Sequence, residues 1–557
     1  MALNKSGWLA FSVLWCLGYI LFGFHFEDYE GNTNGWYNGS LLGYMDYPQW
    51  VFNVNIILFR CYLWLGSHFH GVGWSSLAMA AFATISGGWL CHEVWVTFRN
   101  KNFSATNTLL LVTGVVMVYI LPNIFILNIL RNPLFTGVNS LLILLLRHLR
   151  GKPFASAGTI GIALLWIFAV LTRIETTIFA PLAVGGWVLI NGYAKQVWYT
   201  FVPFVTFGFL LIGFMAYDYT TSPHLWKRLE PTTEDDIGSR NNLIDPRTLA
   251  SPQDSIKWIA LRNHIFADTP TLTYSFIKGV IKGNPLPTES RAFRFLINNA
   301  LNQIEQQAKP YQPWLWWLIM VVVLTKLATP RQPAIWLRLI ATLFFFALLL
   351  IAIGYGAKIH ERIFSFILML TAALVLLGNS LQLGASRLGK LLWLITYMAT
   401  LVSIPYLAKK RQQFTTNEAL NIKVIAELEK IGDNKVLALD PMAAIYMNVP
   451  PFRPVEIKSP RKLLFFDSGV SIMIEVNSAY FAKQCNCDPL SLLSILQFFE
   501  KEKKDWIWVT SRERIALYRS YMKIIYGYEF DMQRIPGTYI IQNVQAPWGE
   551  LGYYTMK

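Results

Sequence analysis

Uncharged apolar stretches alternate with short polar ones from residue 8 to residue 407. Several of these stretches contain about 18 or more residues with almost no charge, which is long enough to cross a bilayer as a helix. The pattern predicts about eleven such helices. Ten are expected at 8–24, 72–94, 107–127, 134–146, 158–171, 197–217, 314–327, 337–353, 363–377 and 391–407. One more, between 171 and 197, is expected to end near residue 190. The sequence therefore predicts a multi-pass membrane protein that is mainly α-helical.

Two further segments, 35–44 and 49–65, are interrupted by asparagines and by Arg60. They fit amphipathic helices lying on the membrane better than spans. The alternative is that 49–65 crosses, which would reverse every later helix. Positive charges favour the first interpretation, because nearly every short basic loop then falls on the side of the N-terminus. We therefore expect the N-terminus inside and the C-terminus outside.

Residues 218–313 form a long polar loop between two predicted spans, with candidate helices at 253–266 and 290–307. Loops of this length usually serve as lids or binding surfaces. The composition changes again after residue 408. Short strands at 436–439, 507–510 and 538–542 and helices at 417–429 and 489–501 predict a small soluble α/β domain. The predicted division is a membrane module, 1–408, and an outer domain, 409–557.

Composition supports a membrane protein, since 54% of the residues are hydrophobic and 15% are charged. Soluble proteins carry about a quarter charged residues. The net charge of +15 suits basic cytoplasmic loops and anionic lipid or phosphate ligands, and no nucleic-acid motif is present. Cys485 and Cys487 form a CxC pair without the second pair that a zinc site needs, so two free thiols are the simpler interpretation.

Three carboxylates, Glu27, Asp28 and Glu30, follow the first apolar segment directly. Acids at the membrane edge are costly and are functional-site candidates by default. An acid there can take a proton from an acceptor group. The simpler alternative is a solvated loop that ends a helix.

Lys358, His360 and Arg362 place three potential cations within five residues at the outer start of the helix predicted at 363–377. Arginine matches phosphate oxygens with its planar fork, and lysine acts as a point charge. This segment therefore predicts a phosphate-binding site. The alternative is that the basic side chains only extend toward the interface.

A third group lies at the outer ends of two other helices. Arg173 and Glu175 form an Arg-x-Glu corner, and Arg131 follows the helix predicted at 107–127. Arg173 could grip a substrate that Glu175 orients, and Arg131 could join the same cationic belt. A structural ion pair between Arg173 and Glu175 is the alternative.

The order of these features resembles the GT-C superfamily of polytopic membrane glycosyltransferases. His360-Glu361-Arg362-Ile363-Phe364 is similar to the HKEERF-type segment of lipid-linked mannosyltransferases, although it lacks the doubled acid and the adjacent lysine. The corner at 171–175 is similar to one found in bacterial members that use polyprenyl-phosphate sugars, such as protein mannosyltransferases and aminoarabinose transferases. Residues 8–408 share the layout.

The resemblance implies transfer of a sugar from a polyprenyl-phosphate donor to a lipid, glycan or protein acceptor on the outer face of a bacterial cytoplasmic membrane. Asp28 would be the base, with Glu27 as second choice. Glu30, Arg131, Arg173, Glu175, Lys358, His360 and Arg362 would bind substrate. No cofactor is required by this resemblance, although Mg²⁺ or Mn²⁺ could bind at Asp28 and Glu27.

Two other functions fit parts of the pattern. An oligosaccharide polymerase or ligase using a diphosphate-linked lipid also has a long outer loop and outward arginines. A transporter or flippase for lipid-linked glycans should instead show internal repeats and broken helices at mid-membrane, and no repeat is obvious in the sequence.

Overall fold

The structure is a computed structural model of the chain. It describes residues 6–26, 56–69, 72–128, 130–152, 157–193, 202–211, 213, 244–263, 268, 270–283, 289–329, 331–356, 359, 361–382, 385–430, 436–439, 463–465, 491–501, 506–535 and 551–557. These residues are mainly helical, as the sequence predicts.

The first half of the chain folds into helices separated by short turns. They are α1 (Ser6–Phe22), α2 (Ile56–His68), α3 (Trp74–Asn100), α4 (Ala105–Val115), α5 (Leu121–Phe125), α6 (Arg131–Leu149), α7 (Ala157–Thr172), α8 (Thr176–Ile190) and α9 (Val202–Leu211). A π-helical turn, Val116–Ile120, joins α4 to α5. Two short strands, β1 (His25–Phe26) and β2 (Ile126–Leu127), pair in parallel.

The second half continues with α10 (Pro252–Arg262), α11 (Tyr274–Gly283), α12 (Glu289–Ala308), α13 (Gln312–Ala328), α14 (Pro333–Gly356), α15 (Glu361–Gln382) and α16 (Ala385–Lys430). A short 3-10 turn, Lys309–Tyr311, links α12 to α13. Most predicted helices thus correspond to observed ones among the described residues. The predicted segment 35–44 lies outside them, and α2 covers part of 49–65.

Within the described residues, four stretches are long and apolar enough to cross a membrane: Ala105–Phe125, Ile297–Ala328, Pro333–Gly354 and Glu361–Leu381. The expected count of about eleven spans is therefore not found. Four other apolar helices among the described residues have only 10–17 residues. The long helix α3 contains several polar and charged residues, which lower its hydropathy. The hydropathy pattern locates helices correctly but overstates how many of them have the length of a full span.

The helix bundle is organised around α6 and α15. Side chains are buried on every side of α6 from Arg131 to Leu146, and likewise on α15 from Phe364 to Ser380. A helix that is buried all round belongs at the centre of a bundle. In contrast, α1 exposes Leu9 and Ile20, with 65% and 71% of their surface accessible. Apolar faces of this kind suit contact with lipid, so the described bundle is that of a helical membrane protein.

The bundle has two ends that differ in their polar groups. We call the end containing β1, β2 and the start of α6 the Arg131 end. We call the opposite end, where α3 and α6 terminate, the Glu93 end. The turn from α7 to α8 lies toward the Arg131 end, because a Cβ on Gly137 of α6 would lie 2.3 Å from the Thr176 side chain.

Helix α16 runs without interruption for 46 residues. The predicted break between a span ending at residue 407 and a separate helix at 417–429 is wrong. The polar stretch after Leu407 is rich in lysine, arginine and glutamine, which are good helix formers and are well solvated when a helix leaves the core. The predicted domain boundary at 408/409 lies inside this helix.

The C-terminal region contains a mixed five-stranded sheet. Its strands are β3 (Val436–Leu439), β4 (Leu463–Phe465), β5 (Trp506–Ser511), β6 (Met532–Arg534) and β7 (Leu551–Met556). The order is β4-β3-β5-β7-β6; β3 is parallel to β4 and β5, whereas β7 is antiparallel to β5 and β6. Helices α17 (Leu492–Lys501) and α18 (Arg512–Tyr526) belong to the same region. The strands predicted at 436–439 and 507–510 are confirmed, and 538–542 lies outside the described residues.

Part of the long loop shares a hydrophobic core with this C-terminal region. Ile256, Trp258 and Leu261 of α10 and Ile277 of α11 are buried in one cluster with residues of α17, α18 and the sheet. The two segments are more than two hundred residues apart in sequence, as the Asp268–Tyr521 separation of 253 shows. The loop and the C-terminal region therefore pack as one body.

Candidate functional site

Three asparagines shape the turn that precedes α6. The side chain of Asn128 accepts hydrogen bonds from the backbone N–H groups of Leu130 and Arg131, at 2.8 and 2.9 Å. Asn132 accepts from the Asn128 N–H at 2.6 Å and donates to the Asn123 carbonyl at 2.6 Å. Short amide side chains satisfy backbone groups at helix starts in this way. The turn therefore holds Arg131 in a defined position.

The guanidinium of Arg131 is buried, with 1% of the residue exposed. Its Nε donates to Asn123 Oδ1 at 2.7 Å, and its Nη2 donates to Ser365 Oγ at 3.1 Å and contacts Met369 Sδ at 3.3 Å. These three partners are neutral, and Arg131 also interacts electrostatically with the carboxylate of Glu361. A buried cation carries a large desolvation cost, which an anion compensates far better than neutral groups do. Arg131 thus places a buried positive charge beside Glu361 at this end of the bundle.

Ser365 connects Arg131 to the basic segment predicted as a phosphate site. The same hydroxyl that accepts from Arg131 donates to the backbone carbonyl of Arg362 at 3.2 Å. Arg362 lies in the first turn of α15. The structure therefore brings two predicted cations, from positions 131 and 362, to the same end of the bundle.

Glu361, the first residue of α15, lies between groups from two other helices. Its Oε1 accepts hydrogen bonds from Tyr311 OH at 2.8 Å and from Lys410 Nζ at 3.0 Å. The hydroxyl of Tyr406 is 3.4 Å from that of Tyr311. An acid in the first turn also interacts favourably with the helix dipole. Glu361 and Lys410 therefore tie α15 to α16.

Four residues of α16 spaced four apart form a stripe, Tyr406, Lys410, Phe414 and Glu418. Lys410 Nζ lies 5.8 Å from the centre of the Phe414 ring, and that ring is 5.7 Å from the imidazole of His25. His25 Nδ1 lies 2.9 Å from Glu418 Oε1. Residues four apart share one face of a helix. The stripe therefore links the start of α15 to β1.

Strand β1 lies beside β2, which leads into the turn before Arg131. His25 pairs with Ile126, and Phe26 pairs with Leu127. The imidazole Nε2 of His25 is 2.7 Å from the Phe22 carbonyl, which anchors the end of α1. The chain thus reaches Phe26 next to the segment that carries Arg131.

Five predicted site residues lie outside the described residues: Glu27, Asp28, Glu30, Lys358 and His360. Whether they approach Arg131 stays a prediction. The described residues contain no cluster of three or more His, Cys, Asp or Glu that could hold a metal ion. The predicted metal ligands, Asp28 and Glu27, lie outside the described residues.

Arg173 and Glu175 lie in the turn between α7 and α8. Arg173 Nη1 is 3.5 Å from Glu175 Oε1, so the ion pair considered from sequence is present. Arg173 is 8% exposed, and within the described part of the chain its Nε has no hydrogen-bond partner. Phe179 of α8 lies 5.9 Å, ring to ring, from Phe366 of α15. The corner therefore lies on the α15 side of the bundle.

Sequence reasoning missed three residues that organise this region, Asn123, Glu361 and Lys410. From the sequence, Glu361 stands out only as part of the segment 360–364, and Lys410 falls in the predicted outer domain, 409–557. The signal for Lys410 was the spacing of the stripe on α16, which continues the helical period past the apolar stretch. Asn123 carried no local signal, because its partner Arg131 lies beyond an irregular turn.

Comparison with known proteins adds no relative. No protein-family model, no curated protein and no solved structure matches this chain. The resemblance to GT-C enzymes therefore stays a prediction carried by the motifs and the layout.

Proposed function

We propose that this protein is an integral-membrane glycosyltransferase that moves a sugar from a polyprenyl-phosphate donor to an acceptor at the Arg131 end. The observation that carries the proposal is the buried guanidinium of Arg131, held beside the first turn of α15 through Ser365. Two arginines at the end of an apolar bundle suit a ligand that combines a phosphate with a lipid chain.

The acidic loop begins beside these cations. Phe26 is paired with Leu127, four residues before Arg131, and Glu27 and Asp28 follow Phe26 in the sequence. A base and a phosphate-binding group must both lie near the anomeric carbon that joins sugar to phosphate. The pairing of β1 with β2 supports the proposal, because the acidic segment then begins beside the turn that leads to Arg131.

The proposed reaction is a displacement at the anomeric carbon. An acceptor oxygen or nitrogen forms a bond to this carbon, while the carbon–oxygen bond to the phosphate breaks and the phosphate oxygen keeps the electron pair. Asp28 takes the proton of the acceptor, with Glu27 as the alternative base. Arg131, Arg362 and Arg173, with Lys358 and His360, stabilise the negative charge that grows on the departing phosphate. Glu175 orients Arg173, and Glu30 binds the sugar or the acceptor.

The dimensions of the bundle support a membrane location for this site. Arg131 and Arg147 are 16 residues apart on α6, which corresponds to about 24 Å along the helix axis. The hydrocarbon core is about 30 Å thick, and a short helix is accommodated by local thinning or by polar side chains that reach the interface. We infer that the shorter apolar helices also cross and that the Arg131 end faces outward, since the short basic loops lie at the other end.

The decisive experiment uses full-length protein reconstituted in vesicles with a radiolabelled polyprenyl-phosphate hexose or pentose and a lipid extract as acceptor. Asp28→Asn and Arg362→Ala should each lower transfer at least a hundredfold, as expected for loss of a base or of a phosphate contact. Asp245→Asn and Arg331→Ala are matched controls, because Asp245 is exposed and pairs with its neighbour Arg247, and Arg331 is exposed after the end of α13; both variants should leave transfer unchanged.

Three outcomes would oppose the proposal. Undiminished transfer by both site variants would reject the assigned residues. Transfer only from a polyprenyl-diphosphate donor would favour a polymerase or ligase. Movement of the lipid-linked sugar across the vesicle membrane without a covalent product would favour a flippase.

A further inference from the structure

The segment that enters α15 is anchored by two residues of the stretch predicted as the long loop, 218–313. The backbone N–H of Ile359 donates to Gln303 Oε1 at 2.7 Å. Tyr311 OH donates to Glu361 Oε1 at 2.8 Å. Gln303 lies on α12, and Tyr311 ends the 3-10 turn that follows this helix. Two anchors from one continuous stretch therefore hold positions 359 and 361.

Apolar packing supports the same contact. Ile359 is buried, with 1% of the residue exposed. A Cβ placed on Gly354 of α14 would lie 2.7 Å from Ile359 Cδ1 and 2.8 Å from Ala300 Cβ, so these two residues meet at Gly354. Ala300 and Gln303 are three residues apart and share one face of α12. This face therefore meets residue 359 with both an apolar side chain and a hydrogen-bond acceptor.

The hydrogen bond from Ile359 satisfies a group that α15 itself leaves free. N–H groups at the start of a helix have no carbonyl of the same helix to which they can donate. A buried N–H without an acceptor is unfavourable, so removal of the Gln303 amide is expected to loosen the backbone here. Tyr311 is fixed as well, because its ring packs 5.8 Å, centre to centre, from that of Phe364.

Arg362 follows these anchored positions directly, in the first turn of α15. Its backbone carbonyl accepts from the Ser365 hydroxyl, which in turn accepts from Arg131. A phosphate bound by two guanidinium groups is sensitive to their spacing, because each hydrogen bond has a narrow range of distance and angle. Anchors at the start of α15 therefore bear on how Arg362 is placed relative to Arg131.

We infer that Gln303 and Tyr311 are positioning residues, which hold the first turn of α15 so that Arg362 and Arg131 bind one phosphate together. The inference rests on the proposed function, because the phosphate is that of the polyprenyl-phosphate donor. Both residues act through the segment 359–361 and are not assigned to the phosphate itself.

The test compares two ligands, polyprenyl phosphate without a sugar and the uncharged polyprenol, on full-length protein in detergent. The rise of melting temperature with lipid concentration gives an apparent affinity for each. Gln303→Met nearly keeps the size and helix propensity of the side chain but removes the acceptor. It should weaken the affinity for polyprenyl phosphate about tenfold, which corresponds to about 1.4 kcal/mol, and leave that for polyprenol unchanged. Tyr311→Phe should act in the same direction.

Hydrogen exchange tests the anchor separately from its effect on the ligand. A peptide that contains Ile359 should exchange about tenfold faster in Gln303→Met, whereas peptides from α6 should keep their wild-type rates and show that the bundle is folded. Gln306→Met is the matched control, because it removes the same amide from an exposed position on α12. This control should change neither lipid affinity nor exchange.

The outcomes separate this inference from the proposed function. Unchanged affinity of Gln303→Met for polyprenyl phosphate, at any exchange rate of Ile359, would overturn the positioning role and leave the proposed function standing. Equal weakening for polyprenyl phosphate and polyprenol would indicate a general loss of structure and would also overturn it. Wild-type protein that binds polyprenol as tightly as polyprenyl phosphate would reject the phosphate site, and with it both proposals.

Discussion

The contact between the long loop and the C-terminal region includes one buried acid, Asp268, which is 0% exposed. Its carboxylate accepts from Tyr521 OH at 2.6 Å, from Tyr526 OH at 2.8 and 2.9 Å and from Thr271 Oγ1 at 2.5 Å. The backbone N–H of Leu492 at the start of α17 also donates to it, at 3.3 Å. Replacing Asp268 by alanine removes the common acceptor of all four groups.

The magnitude follows from this count of donors. A hydrogen bond to a charged group contributes about 1.5–3 kcal/mol, so simple addition over four donors gives about 6–12 kcal/mol. That sum is an overestimate, because the folded state also bears the cost of burying the carboxylate. Breaking a buried charged network from one side costs about 3–5 kcal/mol. We expect Asp268→Ala to destabilise this unit by about that amount, and Asp268→Asn, which keeps one acceptor oxygen, by about 1–3 kcal/mol.

Hydrogen exchange of the full-length protein in detergent is the suitable assay, because it reports local opening free energies separately for each segment. Peptides from α10, α17 and α18 should lose about 3–5 kcal/mol of protection in Asp268→Ala. Peptides from α6 and α15 should stay unchanged. Asp245→Ala, an exposed acid in the same loop, should have an effect below about 1 kcal/mol. Unchanged exchange of α17 and α18 in Asp268→Ala would refute the reasoning.

Three further predictions concern other parts of the chain. Burial and, second, the neighbouring carboxylate of Asp268 raise the pKa of Tyr521 well above its ordinary value. The contribution of Tyr521 to stability is therefore complete below pH about 10 and is lost at higher pH. Absorbance at 295 nm should show tyrosinate appearing only as the long loop and the C-terminal region unfold. Asn123→Ala removes an acceptor from the Arg131 guanidinium and should cost about 1–3 kcal/mol, measured as a lower melting temperature. Gly137→Ala should cost about 1–3 kcal/mol by overpacking, because the new Cβ would lie 2.3 Å from a side-chain atom of α8, whereas Gly185→Ala meets no atom within 4 Å and should not destabilise.

Hydropathy predicted the position of most helices, because an apolar stretch of a given length leaves little choice of structure at the membrane. Helix α6 illustrates this, since the predicted 134–146 lies inside the observed Arg131–Leu149. The number of full-length spans could not be predicted in the same way, because several apolar helices have only 10–17 residues and α3 contains polar and charged residues. Hydropathy also does not show that α16 continues past Leu407, because the solvated part of this helix has no apolar stretch to mark it.

The candidate site was predictable only in part. The cations at positions 131, 173 and 362 could be chosen from residue type and from their places at helix ends. The role of Glu361 could not, because its partners Tyr311 and Lys410 are 50 and 49 residues away. The same limit applies to Asp268 and Tyr521, whose pairing depends on how the chain folds across a long sequence separation. Local periodicity contains no information about such distant pairs.

The length of α16 has a mechanical consequence. Its 46 residues, with Pro405 among them, correspond to about 69 Å measured along the helix axis, more than twice the thickness of the hydrocarbon core. Each residue inserted into such a helix turns everything beyond it by about 100° and moves it by about 1.5 Å along the axis. A single insertion before Lys410 would therefore rotate this side chain away from Glu361, whereas seven inserted residues would nearly restore its direction at a greater height. Rotation and height of the distal part of α16 are therefore coupled, and a change in one moves Lys410 relative to the first turn of α15.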